Sequence, residues 1–99
     1  MGLLQFFYGS FHSKRGEENL EYEGIELLWY SKQYKLHHWI ENNCLKLPED
    51  CVYSDNLGYF VSYQNLFDLQ KYVTQKHIKQ DLQKLIQSGA ISFYYNYSL

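Results

Sequence analysis

The sequence is poor in residues that break or cross-link a chain: its 99 residues include one proline, six glycines and two cysteines. So few breakers leave little room for linkers, and we expect a single domain over residues 1–99. Cys44 and Cys51 are isolated thiols, which is typical of a reducing compartment. No apolar run approaches the roughly 18 residues of a membrane-spanning helix, and residues 1–10 lack the basic region of a signal peptide. We therefore expect a cytoplasmic protein without a membrane partner.

The motifs that usually carry catalysis are also missing. The chain has no Gly-rich phosphate loop, no GxSxG nucleophile elbow, no CxxC pair and no HExxH metal motif. His37 and His38 are adjacent, so on a helix their side chains diverge by about 100° and share a metal poorly. We expect no catalytic residues, no metal and no cofactor. The alternative is a small enzyme or ligand-sequestering protein that uses His37 with Cys51 or a nearby acid.

Charge is modest overall but unevenly distributed. The net charge of −2 gives no general attraction to nucleic acid, so we expect no direct nucleic-acid partner. Five glutamates nevertheless fall within residues 17–26. Such a stretch is either a solvated loop or a surface that meets a basic partner. We predict that four of these acids are partner contacts: Glu17, Glu18, Glu21 and Glu23.

What the chain has in abundance is aromatic residues, at 19% of the sequence with eleven tyrosines. A core of this size needs fewer rings, so several should lie at the surface, where tyrosine gives contact area with few rotatable bonds. The alternative is that they are half-buried residues of a sheet. We predict that five tyrosines contact a partner: Tyr30, Tyr34, Tyr94, Tyr95 and Tyr97.

Apolar patterns predict alternating strands and helices. Strands are predicted over residues 3–8, 21–30, 58–61 and 90–98. A first helix should begin after Ser31 as its N-cap, bury a stripe that contains Leu36, Trp39 and Ile40, and end near residues 42–43. Residues 44–57 read as a loop. Trp29, on the second strand, should pack near the same helix stripe.

The second half of the chain predicts two further helices. Ser62 is a candidate N-cap with Asn65 as its capping-box partner. The apolar phase breaks over residues 74–77, and Gly89 is placed to end the second of the two helices. The predicted order is β-β-α-β-α-α-β. We therefore expect the α+β class, a small antiparallel sheet with helices packed on one face.

One segment resembles a known group of proteins. The run GIELLWYSKQYKLHHWIENN resembles a Tyr-Trp-Arg-Lys-x-Asn-x-Ile-His-x-Trp-Phe segment found in small, mostly uncharacterised phage and prophage proteins. Lys32, His37 and Trp39 are identical in type to that pattern, whereas Ser31 and Tyr34 replace its Arg and Asn. The start MGLLQFFYGS, Asp50-Cys51, the Tyr59–Ser62 block and Ser88-Gly89 are similar to other parts of the same family.

The resemblance implies a phage or mobile-element origin and a small accessory protein. Loss of the two polar residues favours a scaffold used for binding, with Lys32, His37 and Trp39 mainly architectural. We therefore expect a non-catalytic, anti-CRISPR-like inhibitor that occludes an effector protein of a bacterial defence system, such as a CRISPR–Cas subunit, in the host cytosol. A homo-oligomeric module, such as a homodimer paired through the last strand, is a further alternative.

Overall fold

A computed structural model gives the fold, and it describes residues 2–12, 22–47 and 58–99, without the side chains of residues 12 and 22–24. These residues form five strands and three helices. The elements are β1 (Leu4–His12), β2 (Tyr22–Ser31), α1 (Tyr34–Asn43), β3 (Leu45–Lys46), β4 (Gly58–Val61), α2 (Tyr63–Tyr72), α3 (Lys76–Ile86) and β5 (Ser92–Ser98).

The strands form one antiparallel sheet in the order β2-β1-β5-β4-β3. The last strand lies inside the sheet, between β1 and β4, and its partners include Phe7 for Tyr95 and Phe60 for Tyr94. The pairing of β1 with β2 contains a bulge, because Phe7 pairs with Leu28 whereas Tyr8 pairs with Glu26. Leu27 is therefore the extra residue of β2.

Alternate residues of the strands form the core with the helices. Phe7, Val61, Phe93 and Tyr95 are fully buried on the side of the sheet that carries α1, α2 and α3. The buried helix residues of this core are Leu36, Ile40, Leu66, Leu69, Ile78, Leu82 and Leu85. The helices thus cover one face of the sheet, and the predicted α+β class, its element order and this layer arrangement are confirmed.

Local signals set the ends of the second and third helices. Asn65 N–H donates to Ser62 Oγ and Ser62 N–H donates to Asn65 Oδ1, each at 3.0 Å, which is the predicted capping box. Helix α2 ends at Tyr72 and α3 begins at Lys76, close to the predicted break. Gly89 has φ +85°, the left-handed conformation that glycine adopts without strain.

The first helix begins differently from the prediction. Ser31 is the last residue of β2 and not an N-cap; the cap position is Gln33, whose side chain makes no capping hydrogen bond. The backbone of Gln33 is held instead by the buried Gln5 side chain, which accepts from Gln33 N–H at 2.9 Å and donates to its carbonyl at 3.1 Å. Lys32, which lies between Ser31 and Gln33, turns the chain with φ 61°.

One smaller difference concerns the sheet. Residues 44–57 were expected to be a loop, but Leu45–Lys46 pair with Phe60 and Tyr59 as the short strand β3. The remainder of that segment, residues 48–57, lies outside the described residues. Among the described residues, no helix has the length and apolar character needed to cross a membrane.

Candidate functional site

The face of the sheet opposite the helices is rich in large apolar side chains. Because side chains alternate along a strand, residues between the core positions point to this second face. Register places Trp29 beside Phe6, and Tyr94 beside both Tyr8 and Phe60. We call this surface the open face; its large apolar residues are Leu4, Phe6, Tyr8, Trp29, Leu45, Phe60 and Tyr94.

Water reaches much of the open face. The exposed fractions are 41% for Leu4, 60% for Trp29 and 70% for Leu45, and Phe6, Tyr8, Phe60 and Tyr94 are partly buried. None of these seven residues belongs to the core cluster or packs against it. Their rings contact one another instead, with centroids 6.4 Å apart for Phe6 and Tyr8 and 6.0 Å for Phe60 and Tyr94.

The open face also carries one acidic residue with a described side chain. Glu26 is the partner of Tyr8 across the β1–β2 ladder and is exposed to solvent. Burial of the Tyr8 phenol raises its pKa, and the neighbouring Glu26 carboxylate raises it further. Glu26 is the only charged residue on the open face among the side chains that the structure describes. The face therefore combines aromatic rings with a single negative charge.

The helix side of the sheet contains a buried polar network centred on His37. His37 Nδ1 lies 2.7 Å from Tyr95 Oη, and His37 Nε2 lies 3.4 Å from Glu41 Oε2. Gln5 Nε2 donates to Tyr95 Oη at 3.2 Å, and the Tyr97 ring packs edge-on against the imidazole at 4.4 Å. Burial lowers the pKa of His37, against the opposing effect of the nearby Glu41 carboxylate. Burial is also the main reason that the pKa of Tyr95 is raised.

This network bears on the alternative in which His37 performs chemistry. The structure does bring His37 next to an acid, Glu41, whereas Cys51 lies outside the described residues. His37 is only 7% exposed, and both of its ring nitrogens are engaged by protein groups. A general base needs one nitrogen within hydrogen-bond reach of a substrate. The arrangement is that of a buried structural histidine.

A separate groove of about 540 Å³ lies on the helix side, between the start of α1 and the α2–α3 connection. Lys32, Lys35, Tyr34 and Tyr72 contribute to its lining, and Ile78 lies at its apolar part. Tyr34 is exposed here, as the sequence predicts for a contact residue. It lies far from the open face in the architecture, because the sheet separates the two surfaces.

The five predicted tyrosine contacts do not share one surface. Tyr94 lies on the open face, and Tyr34 lies at the groove. Tyr30 and Tyr97 are half-buried on the helix side, where Tyr30 Oη donates to Asp81 Oδ2 at 2.7 Å and Tyr97 packs on His37. The expectation that Tyr95 contacts a partner is corrected: its side chain points from β5 toward the helices, and at 0% exposure Tyr95 is a core residue.

The four predicted acidic contacts fall mostly beyond the structural description. Glu17, Glu18 and Glu21 lie outside the described residues, and Glu23 is in β2 without a described side chain.

The two tryptophans lie on different sides of the sheet. Trp29 was expected to pack near the α1 stripe, and this expectation is corrected, because Trp29 lies on the open face. Trp39 is partly buried against the core, and its ring lies 6.3 Å from that of Tyr72 in a tilted arrangement.

Sequence reasoning missed Phe6, Tyr8 and Phe60 as surface residues. A signal was present in LLQFFY, where both alternating sets contain apolar residues, so that one set must face away from a single layer of helices. Among the described residues, no group of three or more His, Cys, Asp or Glu side chains is arranged so that it could hold a metal ion. Cys44 carries a free thiol whose pKa burial raises to about 12.

Comparison with known proteins adds no relative to this picture. No protein-family model, no curated protein sequence and no solved structure matches the chain significantly.

Proposed function

We propose that this chain is a non-catalytic binding protein whose main contact surface is the open face of its sheet. The observation that carries the proposal is the set of seven large apolar residues that lie outside the core cluster, with Trp29 and Leu45 mostly exposed. A contiguous apolar patch of this kind on a small protein marks an interaction surface. Aromatic residues, tryptophan above all, are also enriched among the residues that dominate binding energy.

The size of the face is consistent with part of a protein–protein interface. Five strands about 4.8 Å apart span roughly 20 Å, so the face offers a few hundred Å². A standard interface buries about 800 Å² on each partner. The sequence also predicts Glu17, Glu18, Glu21 and Glu23 as contacts; the first three lie outside the described residues, and Glu23 lies on β2 without a described side chain.

The binding proposal is favoured over the enzymatic alternative by the state of His37. Its imidazole is buried and both nitrogens have protein partners, so no reactive atom is presented to a substrate. Tyr95, which completes the network, is fully buried as well. The network stabilises the packing of α1 on the sheet.

The class of partner comes from the resemblance to small phage and prophage proteins. We propose that the target is an effector protein of a bacterial defence system, such as a CRISPR–Cas subunit, in the host cytosol. The chain would act by occluding a functional surface of that protein. An aromatic face that carries the Glu26 carboxylate suits a target surface that normally binds nucleic acid, because such surfaces are basic.

The proposal is tested by affinity purification of the tagged chain from bacteria that express an active CRISPR–Cas complex. The wild type should recover one effector subunit in stoichiometric amount. The double variant Trp29→Ser, Leu45→Ser alters the most exposed apolar residues at the two sides of the open face and should lose that subunit.

The matched control is Phe67→Ser, Tyr72→Ser, which removes two similarly exposed aromatic side chains of α2 on the helix side. This control should recover the subunit as the wild type does, and circular dichroism should show all three proteins folded. Equal recovery by the open-face variant, or no stoichiometric partner for the wild type, would contradict the proposal.

A further inference from the structure

Strand β2 offers a long pairing edge. It lies at one end of the sheet and pairs with β1 on its inner side. It has ten residues, whereas β3 at the opposite end has two. An edge strand directs a row of backbone N–H and C=O groups outward, which is a template for an added strand. Within the described residues, β2 is therefore where an extended partner segment can pair over a useful length.

Next to this edge, four side chains of the open face form an acidic aromatic cluster. Its members are Phe6, Tyr8, Glu26 and Trp29. Phe6 is the cross-strand partner of Trp29, and Tyr8 is the partner of Glu26, so the two pairs are neighbours on one face. The faces of aromatic rings attract cations, and a carboxylate beside them adds a full negative charge. This cluster suits a guanidinium or ammonium group.

Charge decides which strand can occupy the edge. Residues 17–31 contain five glutamates and no lysine or arginine, and Glu23 and Glu26 lie on β2 itself. Pairing β2 with β2 of a second copy would add Glu23 and Glu26 of that copy to an edge that already carries the same two acids, and the added strand would bring no countercharge. A segment rich in arginine or lysine meets the same charges favourably. The occupant consistent with the edge and with the cluster is a basic strand.

We propose that β2 pairs with an extended, arginine- or lysine-rich segment of the partner protein, and that the acidic aromatic cluster receives one of its cationic side chains. The inference rests on the proposed function, since it gives the chemistry of the partner at that same face. Backbone pairing along the edge would supply affinity, and the cluster would select a cation at alternate positions of the added strand.

The test uses a defined peptide probe, acetyl-Arg-Thr-Arg-Thr-Arg-Thr-Arg-amide, added to the intact ¹⁵N-labelled protein. Binding is read from nuclear magnetic resonance shifts, with the Trp29 indole N–H assigned by its loss in Trp29→Phe. We expect saturable shifts of the Trp29 indole and of β2 amides, and no shift of the Trp39 indole. Peptide N-methylated at alternate residues should lose the β2 amide shifts, because it cannot form the ladder.

Two comparisons test the charge. A citrulline peptide keeps the shape of arginine without its charge and should bind at least about fivefold more weakly. Glu26→Gln should weaken binding of the arginine peptide at least about threefold, and the matched variant Asp68→Asn on α2 should not change it. Equal affinities for the two peptides, an unchanged Glu26→Gln variant, or no saturable shift would overturn the inference.

The outcome is separable from that of the proposed function. If partner capture depends on Trp29 and Leu45 but the arginine peptide does not bind, the open face is an interaction surface and the basic-strand inference is wrong. If the peptide binds as expected and capture does not depend on the open face, the cluster recognises cations but the proposed function fails.

Discussion

The variant Tyr95→Phe should destabilise the protein strongly while changing one atom. Tyr95 is fully buried, and its hydroxyl lies 3.2 Å from Gln5 Nε2 and 2.7 Å from His37 Nδ1. Phenylalanine keeps the ring contact with Phe7, whose centroid is 5.2 Å away. Two hydrogen bonds are lost at about 1 kcal/mol each, and His37 Nδ1 loses its buried partner. The expected loss of unfolding free energy is about 2–3 kcal/mol.

Urea denaturation at pH 7.5, followed by tryptophan fluorescence, measures this loss. With a denaturant slope of about 1–1.5 kcal/mol/M for a small domain, the midpoint should fall by about 1.3–3 M. Tyr34→Phe is the control, because Tyr34 is exposed, and its free energy of unfolding should stay within about 0.5 kcal/mol of the wild type. A double-mutant cycle of Tyr95→Phe with His37→Leu should give a coupling of about 1 kcal/mol. A Tyr95→Phe loss no larger than that of Tyr34→Phe would refute the account of the buried network.

Three further predictions concern single groups. Because the pKa of His37 is lowered in the folded protein, the unfolded chain takes up this proton at a higher pH than the folded chain does. The contribution of neutral His37 to stability is therefore fully present above about pH 6.5 and is lost as pH falls below that value. Urea midpoints between pH 7.5 and 5 should fall less steeply in His37→Gln than in the exposed-site control His38→Gln. Gly89→Ala should lower the free energy of unfolding by about 1 kcal/mol through backbone strain alone, because φ is +85° and, among the described residues other than its chain neighbours, no atom lies within 4 Å of the added methyl group. An unchanged melting temperature would contradict the assigned left-handed conformation. Burial raises the pKa of Cys44 to about 12, so in a Cys51→Ser background the folded protein should react with iodoacetamide at pH 8 at least about tenfold more slowly than the protein unfolded in urea. Equal rates for the folded and unfolded protein would place the thiol at the surface.

The features that the sequence predicted correctly depend on neighbouring residues. The capping box of Ser62 and Asn65 spans three residues, and Gly89 ends a helix through its own backbone freedom. The predicted Ser31 cap failed for a non-local reason, since Gln5, from another strand, holds the Gln33 backbone. The residues near Gln33 in the sequence do not predict Gln5 as the partner of its backbone.

The division of aromatic residues between the two faces could not be read from composition. In SFYYNYS, Tyr94 and Tyr95 are adjacent and chemically identical, yet one lies on the open face and the other in the core. Only the pairing of β5 with both β1 and β4 fixes which of them points to the helices. Trp29 shows the same effect, because the bulge at Leu27 and the β1 register set its direction.

The interior position of β5 also determines the order in which the fold can form. Strands β1 and β2 can pair early, but the segment that joins this pair to β4 is Ser92–Ser98. Until those residues are available, β1 and β4 each present an unfilled edge, and the helices have no complete sheet to cover. Contacts between β1 and β5 join residues about as far apart in sequence as the chain allows, as in the pairing of Leu4 with Ser98. Such topology slows folding, so loss of residues 92–98 would leave two separate, aggregation-prone ladders rather than a smaller version of the same protein.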